Sequence, residues 1–195
     1  MVLFALSLFA GLPLPLTAVQ LLWLNLVTNG IQDVALAFEP GEGGEMQQPP
    51  RKPREPIFNR LMIQRVVLSA AIMGTVAFTL FNYFLSTGMP LAEARNAVLL
   101  LMVLFENVHI GNCRSETKSA FSLSPFRNRL LLLGTIGAQL VHIGALYTPG
   151  ISTVLDLQPV TFGLWTQLFI AALSILFVME LHKLWLSRKN QNNKA

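Results

Sequence analysis

The chain has 195 residues, 53% of them hydrophobic and only 12% charged, with a net charge of +4. Its mean hydropathy of +0.54 leaves too little polar surface for a water-soluble protein of this size, so the medium is a bilayer. The lone cysteine, Cys113, excludes an intrachain disulfide and a cysteine-rich metal centre. The basic residues stand beside apolar runs, where membrane topology accounts for them and a nucleic-acid partner is not called for.

A bilayer core of about 30 Å takes ~20 apolar residues in a helix. The pattern predicts an all-α, polytopic transmembrane helix bundle: a partial first helix plus five spanning helices. Residues 1–12 are a short apolar stub that runs into Gly11-Leu12-Pro13-Leu14-Pro15. With no basic n-region and no A-x-A pattern, the stub does not read as a cleavable signal peptide. Spans follow at 16–38, 63–85, 94–112, 130–147 and 162–184. Val66 to Leu85 and Leu130 to Leu155 hold no Asp, Glu, Lys or Arg. Glu39 to Arg60, rich in Gly, Pro and charge, predicts an aqueous loop stiffened by Pro49-Pro50-Arg51-Lys52-Pro53. If all five spans cross, the basic clusters around Arg51 to Arg65, Arg114 to Arg129 and Lys183 to Lys194 share one side. Only Arg95 falls on the other, so the positive-inside rule places the C-terminus in the cytoplasm. Trp165 and Trp185 suit the two interfaces, and Trp23 lies deeper. No internal repeat is visible, which disfavours an inverted-repeat secondary transporter.

Polar residues inside the spans carry the chemistry. Asn25, Thr28 and Asn29 stand at i, i+3 and i+4, on one helix face. Gly30 predicts a break where carbonyls lose helical partners, tolerated at depth only inside protein or along a cavity, and such carbonyls suit hard cations. Asp33 adds a carboxylate. Hydrogen bonding between helices would account for the same Asn and Thr equally well. Glu106 is harder to assign to packing, because a carboxylate within a span is costly unless paired, protonated or coordinating. Asn107, His109 and Asn112 add polarity beside it, His109 as a structural histidine or a ligand. His142 has no acid nearby and reads as packing; Glu180, His182 and Lys183 read as surface pairing at a span end. Nothing is spaced as a Ser-His-Asp triad or a zinc site. A carboxylate in each of two spans, with amides between, fits a cation site.

The string from Pro15 to Gly30, with Gln20, Trp23, Asn25-Leu26-Val27-Thr28-Asn29-Gly30 in register, resembles the sixth membrane helix of P-type cation-transporting ATPases of the calcium-pump type. Phe38-Glu39-Pro40 and the Pro-rich run resemble the loop that follows it. Phe105-Glu106-Asn107 through Asn112 to Glu116 is similar to the eighth helix of bacterial members, and Phe126-Arg127-Asn128-Arg129 to the entry of the ninth. The resemblance covers essentially the whole chain. It implies a C-terminal membrane domain, with residues 1–12 as the outer half of the fifth family helix and the five spans as the sixth to tenth. It further implies that Asn25 and Thr28 are cation ligands and that Glu106 is the eighth helix's carboxylate. Asn29 stands where calcium pumps carry Asp, so the pocket has one negative charge fewer, with Asp33 as a substitute. That implies fewer or weaker divalent sites, or a different cation. The family's Asp-Lys-Thr-Gly phosphorylation motif does not occur in this sequence, nor do its nucleotide-binding and actuator domains. ATP and Mg would act in those domains, and no cofactor is expected in this chain besides a transported cation, calcium by the family's type. The expectation is therefore the membrane part of an ATP-driven pump in a bacterial plasma (inner) membrane, a fragment or split subunit unable to hydrolyse ATP alone. Its partners would be the lipid bilayer and the N-terminal half of the pump, or a full-length pump. The alternatives are a standalone module that binds or regulates a full-length pump, and an ATP-independent channel or carrier.

Overall fold

The structure, a computed structural model, describes residues 1–41 and 58–192, with side chains as far as Lys189. Most of the expected aqueous loop, residues 42–57 with the Pro-rich run, lies outside the described residues, as does Lys194. The described chain is helical, with no strand: α1 (Val2–Phe9), α2 (Ala18–Leu24), a π-turn (Asn25–Asn29), α3 (Gly30–Leu36), α4 (Arg60–Ser86), α5 (Leu91–Cys113), α6 (Arg129–Tyr147), α7 (Ile151–Leu155) and α8 (Phe162–Asn192). Four of these, α4, α5, α6 and α8, are long and apolar enough to cross a membrane. The first expected span, 16–38, holds α2, the π-turn and α3 in unbroken succession.

Local chemistry sets the helix starts. Thr17 and Gln20 form a reciprocal capping box at α2: the Gln20 N–H donates to Thr17 Oγ1 at 3.3 Å and the Thr17 N–H to Gln20 Oε1 at 2.9 Å. Asn59 and Asn128 accept from Met62 N–H and Leu131 N–H at 2.7 and 2.9 Å and so cap α4 and α6. Helix α8 has 31 residues and is about 45 Å long, so it outruns the hydrocarbon core and carries Arg188 and Lys189 beyond it.

Helix α5 is the axis of the bundle. Ala97, Val98, Leu99, Leu100, Leu101 and Phe105 are all buried, so this helix is apolar on every side through its middle. Helices α4 and α8 pack against it and against each other, and α2 and the π-turn approach its other side. Two glycines permit close crossings. A Cβ on Gly74 would stand 2.4 Å from Val2 Cβ, and one on Gly134 would stand 3.1 Å from Ile31 Cγ2. These positions seat α1 on α4 and α3 on α6.

The end of α3 is tied down by polar contacts. Arg114 donates to both carboxylate oxygens of Glu39 and, through Nη2, to the Ser124 carbonyl at 3.0 Å; its shortest approach to Glu39 is 2.9 Å. Arg127 reaches the carbonyls of Pro40 and Gly41, and Asn128 Nδ2 donates to the Ala35 carbonyl at 3.0 Å. Burial pushes the Glu39 carboxyl up, but hydrogen bonds from Arg114 and Asn128 and the charges of Arg114 and Arg127 outweigh it and hold the group below its ordinary range. Lys183 departs from the expected surface pairing: it is 3% exposed, donates to the Asn112 carbonyl at 3.3 Å, and lies 3.5 Å from Glu180. The Asn112 carbonyl at the end of α5 and the Glu180 carboxylate one turn back give the ammonium its partners inside the bundle, so the stem runs inward rather than out to the interface.

Gly74→Val is expected to lower the thermal stability of the detergent-solubilised chain by about 1–3 kcal/mol, because no rotamer change relieves a clash at Cβ. Gly137→Ala, where nothing lies within 4 Å, serves as the control and leaves it unchanged or slightly raised. Glu39→Gln is expected to cost about 1 kcal/mol at neutral pH. A carboxyl held low in the folded state stabilises above its unfolded range and loses that contribution as pH falls through its folded value. The difference between wild type and Glu39→Gln should therefore shrink as unfolding is measured at progressively lower pH below about 4.5.

Candidate cation site

The π-turn decides which side chains of the first helix face inward. The expected break at Gly30 does not occur: its φ of −58° and ψ of −38° are helical, and its N–H bonds to the Asn25 carbonyl, five residues back. One extra residue is accommodated in a widened turn instead. Gly30 suits it, since a Cβ there would sit 3.2 Å from the Asn25 oxygen. The extra residue also rotates Thr28 away from Asn25, so the expected common face of Asn25, Thr28 and Asn29 is split.

Thr28 is fully buried and turned towards α5, while Asn25 is exposed and Asn29 half-buried. Thr28 Oγ1 lies 2.6 Å from the Leu24 carbonyl and also hydrogen-bonds to Glu106 Oε2. A hydroxyl has one hydrogen to share between these two acceptors. With Thr28 donating to Leu24, the contact to Glu106 is complete when the carboxyl carries a proton and donates it. With an ionised Glu106 taking the Thr28 hydrogen, the Leu24 carbonyl is left for another donor or a cation. One turn along, Gln32 Nε2 donates to Asn107 Oδ1 at 2.5 Å, and Asn107 Nδ2 to Gln139 Oε1 at 2.8 Å, a chain of amides from α3 through α5 to α6.

The remaining candidates form a second row. Asn29 Nδ2 donates to Asn25 Oδ1 at 3.2 Å, and Asp33 follows one turn later, exposed. Asn25, Asn29 and Asp33 therefore line the side of the first helix that no described helix covers, beside exposed Leu22, Leu26 and Val34. The structure brings Thr28 and Glu106 together and leaves Asn25 and Asp33 outside that contact. No group of three or more His, Cys, Asp or Glu able to hold a metal occurs among the described residues. The donors here are instead hydroxyl, amide and carboxylate oxygens, the set that hard cations take. His142 has the packing role expected of it: it is buried, and its Nδ1 accepts from Trp23 Nε1 at 3.2 Å.

Residues 13–185 match the sequence profile of the family described as cation transporting ATPase, C-terminus. The chain belongs to that family. It is similar to a probable cation-transporting ATPase F of Mycobacterium tuberculosis, 36% identical over 169 residues that make up 87% of this chain and 19% of the relative. It is likewise 32% identical to a calcium-transporting ATPase type 2C member 2 of Mus musculus, over 94% of this chain and 20% of the relative. A calcium-transporting ATPase of Bacillus subtilis is also 32% identical, over 82% of this chain and 18% of the relative. The chain thus spans about a fifth of the length of these relatives. Membership, together with four long apolar helices, makes this the integral-membrane part of a cation-transporting ATPase.

In this ATPase membrane domain, Gln32 and Gln139 belong to the buried polar layer although sequence reasoning did not single them out. Gln139 had a signal: it is a lone amide in the otherwise apolar run from Leu130 to Leu146, apart from Thr135 and His142. Thr28→Val is expected to lower stability in detergent by about 1–2 kcal/mol, because it removes the partner of Glu106 while keeping the volume. Thr28→Ser should restore most of it, as read by thermal unfolding of the three proteins side by side.

Proposed function

We propose that Asn25, Thr28, Asn29, Asp33 and Glu106 furnish part of the intramembrane cation-binding site of an ATP-driven pump, completed by other helices of the same pump packed on the exposed side of α2 and α3. The observation that carries this reading is the row of Asn25, Asn29 and Asp33 on an uncovered helix face. Amides and a carboxylate are costly against lipid and belong against protein or a water-filled path. The Thr28–Glu106 contact supplies a carboxyl that can exchange a proton for a cation at the inner edge of that row.

On this reading the helices from α1 to α8 correspond to the outer half of the fifth and to the sixth through tenth membrane helices of the family. The basic end of the bundle, with the C-terminus of α8, faces the cytoplasm of a bacterial inner membrane. ATP hydrolysis belongs to domains of the pump outside this sequence. The cargo is a cation of the calcium class, bound more weakly than in pumps with Asp at the place of Asn29, because one ligand charge is missing.

The test is a chimaera in which residues 1–195 replace the matching region of the Bacillus subtilis calcium-transporting ATPase, with ATP-dependent calcium uptake measured in inverted vesicles. Uptake is expected, with affinity raised about tenfold or more by Asn29→Asp. Glu106→Gln or Asn25→Ala should lower it by a similar factor. If both of those variants transport like the parent chimaera, the site is elsewhere. Passive cation flux through the chain alone in liposomes would favour a channel or carrier instead.

A further inference from the structure

A second site lies about one turn beyond Glu106 along α5, between that helix, α4 and α8. Where α4 begins and α5 ends, α4, α5 and α8 enclose a cleft of about 410 Å³ whose lining includes Arg65, Val66, Ser69, His109, Met179 and, at the mouth, Glu116. Two of its polar atoms, Arg65 Nε and His109 Nδ1, are buried without a hydrogen-bond partner. Buried groups left so are costly and mark a place for a ligand that accepts hydrogen bonds. Arg65 Nη2 and Lys183 Nζ converge on the Asn112 carbonyl at 2.9 and 3.3 Å, and the fully buried Asn112 amide is itself unpartnered at both Nδ2 and Oδ1.

The charges around the cleft favour an anion at Arg65. Glu180 is 3.5 Å from Lys183 and also accepts from the Ala120 N–H at 2.8 Å, so it answers the lysine. Glu116 is exposed at the rim, where its charge is solvated. Arg65 forms no ion pair among the described residues. Met62, Val66, Cys113 and Met179 make most of the rest of the lining apolar, with Ser69 among them, and Val66 is also exposed on the outer face of α4 together with Ile63 and Val67. A free phosphate would gain nothing from Val66 and Met179, whereas a phospholipid would lay its acyl ester region along them.

We propose that this cleft binds an anionic phospholipid, its phosphate accepting from Arg65 and His109 and its acyl chains running down α4 past Val66 and Ser69. The position fits the basic-pocket mode of headgroup recognition at the inner leaflet and relies on the orientation proposed above. The binding itself does not depend on cation transport.

The experiment is native mass spectrometry of the purified, delipidated chain offered equal amounts of phosphatidylglycerol and phosphatidylcholine. Phosphatidylglycerol should be retained in preference, and Arg65→Gln should lower its retention about fivefold. Val66→Trp, which blocks the acyl path and leaves every charge in place, should lower it as well; thermal unfolding identifies which variants are folded. Equal retention of the two lipids, wild-type retention by a folded Arg65→Gln, or complete displacement by millimolar inorganic phosphate would overturn the proposal. Should Arg65→Gln not fold, Val66→Trp decides, and unchanged retention there overturns it equally.

Discussion

Hydrocarbon offers no hydrogen bonds, so every polar group within the spans must find its partner inside the protein. In this bundle those partners are spread over different helices. Thr28 meets Glu106, Gln32 meets Asn107 and through it Gln139, Trp23 meets His142, and Gln20 donates to the Leu155 carbonyl at 3.0 Å. Each contact joins the first membrane helix, with its π-turn, to α5, α6 or α7. The same interactions that satisfy isolated polar atoms therefore set the depth and rotation of that helix against its neighbours. Association by apolar contact alone would leave its rotation undetermined, because lipid chains are as apolar as leucine.

The two sides of α5 differ accordingly. Towards α4 and α8 it packs leucine, valine and phenylalanine with small residues at the crossings. Towards the first helix it also presents Glu106 and Asn107, which hydrogen-bond to Thr28 and Gln32 beside the buried Leu24 and Val27. Here the polar seam lies between the well-packed half and the helix that bears the second row of oxygens.

Much of this was legible in the sequence. The uncharged runs placed α4, α6 and α8, and Glu106 and Thr28 stood out because a carboxylate and a hydroxyl amid apolar residues demand an explanation. Helix ends were less legible. The apolar stretch ending near Leu184 marks where lipid ends, but α8 goes on to Asn192, since a helix in water needs only its own backbone bonds and suitable residues. The π-turn was invisible for a similar reason: Gly30 announces a departure from ideal geometry without saying whether the helix opens or widens. Lys183 misled because its long stem usually carries the charge outward, and its burial depends on an acceptor, the Asn112 carbonyl, that lies 71 residues away in the chain.

Gln20, Leu24, Thr28 and Gln32 recur every fourth residue, and all are buried. On a regular α-helix such a repeat drifts by about 40° at each step, or roughly 120° from first to last. The residue inserted between Leu24 and Gly30 takes up about 100° of that drift. The widened turn thus acts as a phase corrector, bringing four side chains that would spiral around the helix onto a single edge. Asn25, Asn29 and Asp33, one position later, are aligned by the same correction into a parallel edge. A small irregularity in the backbone gives the helix two straight margins, one mostly and one wholly polar, instead of one winding stripe.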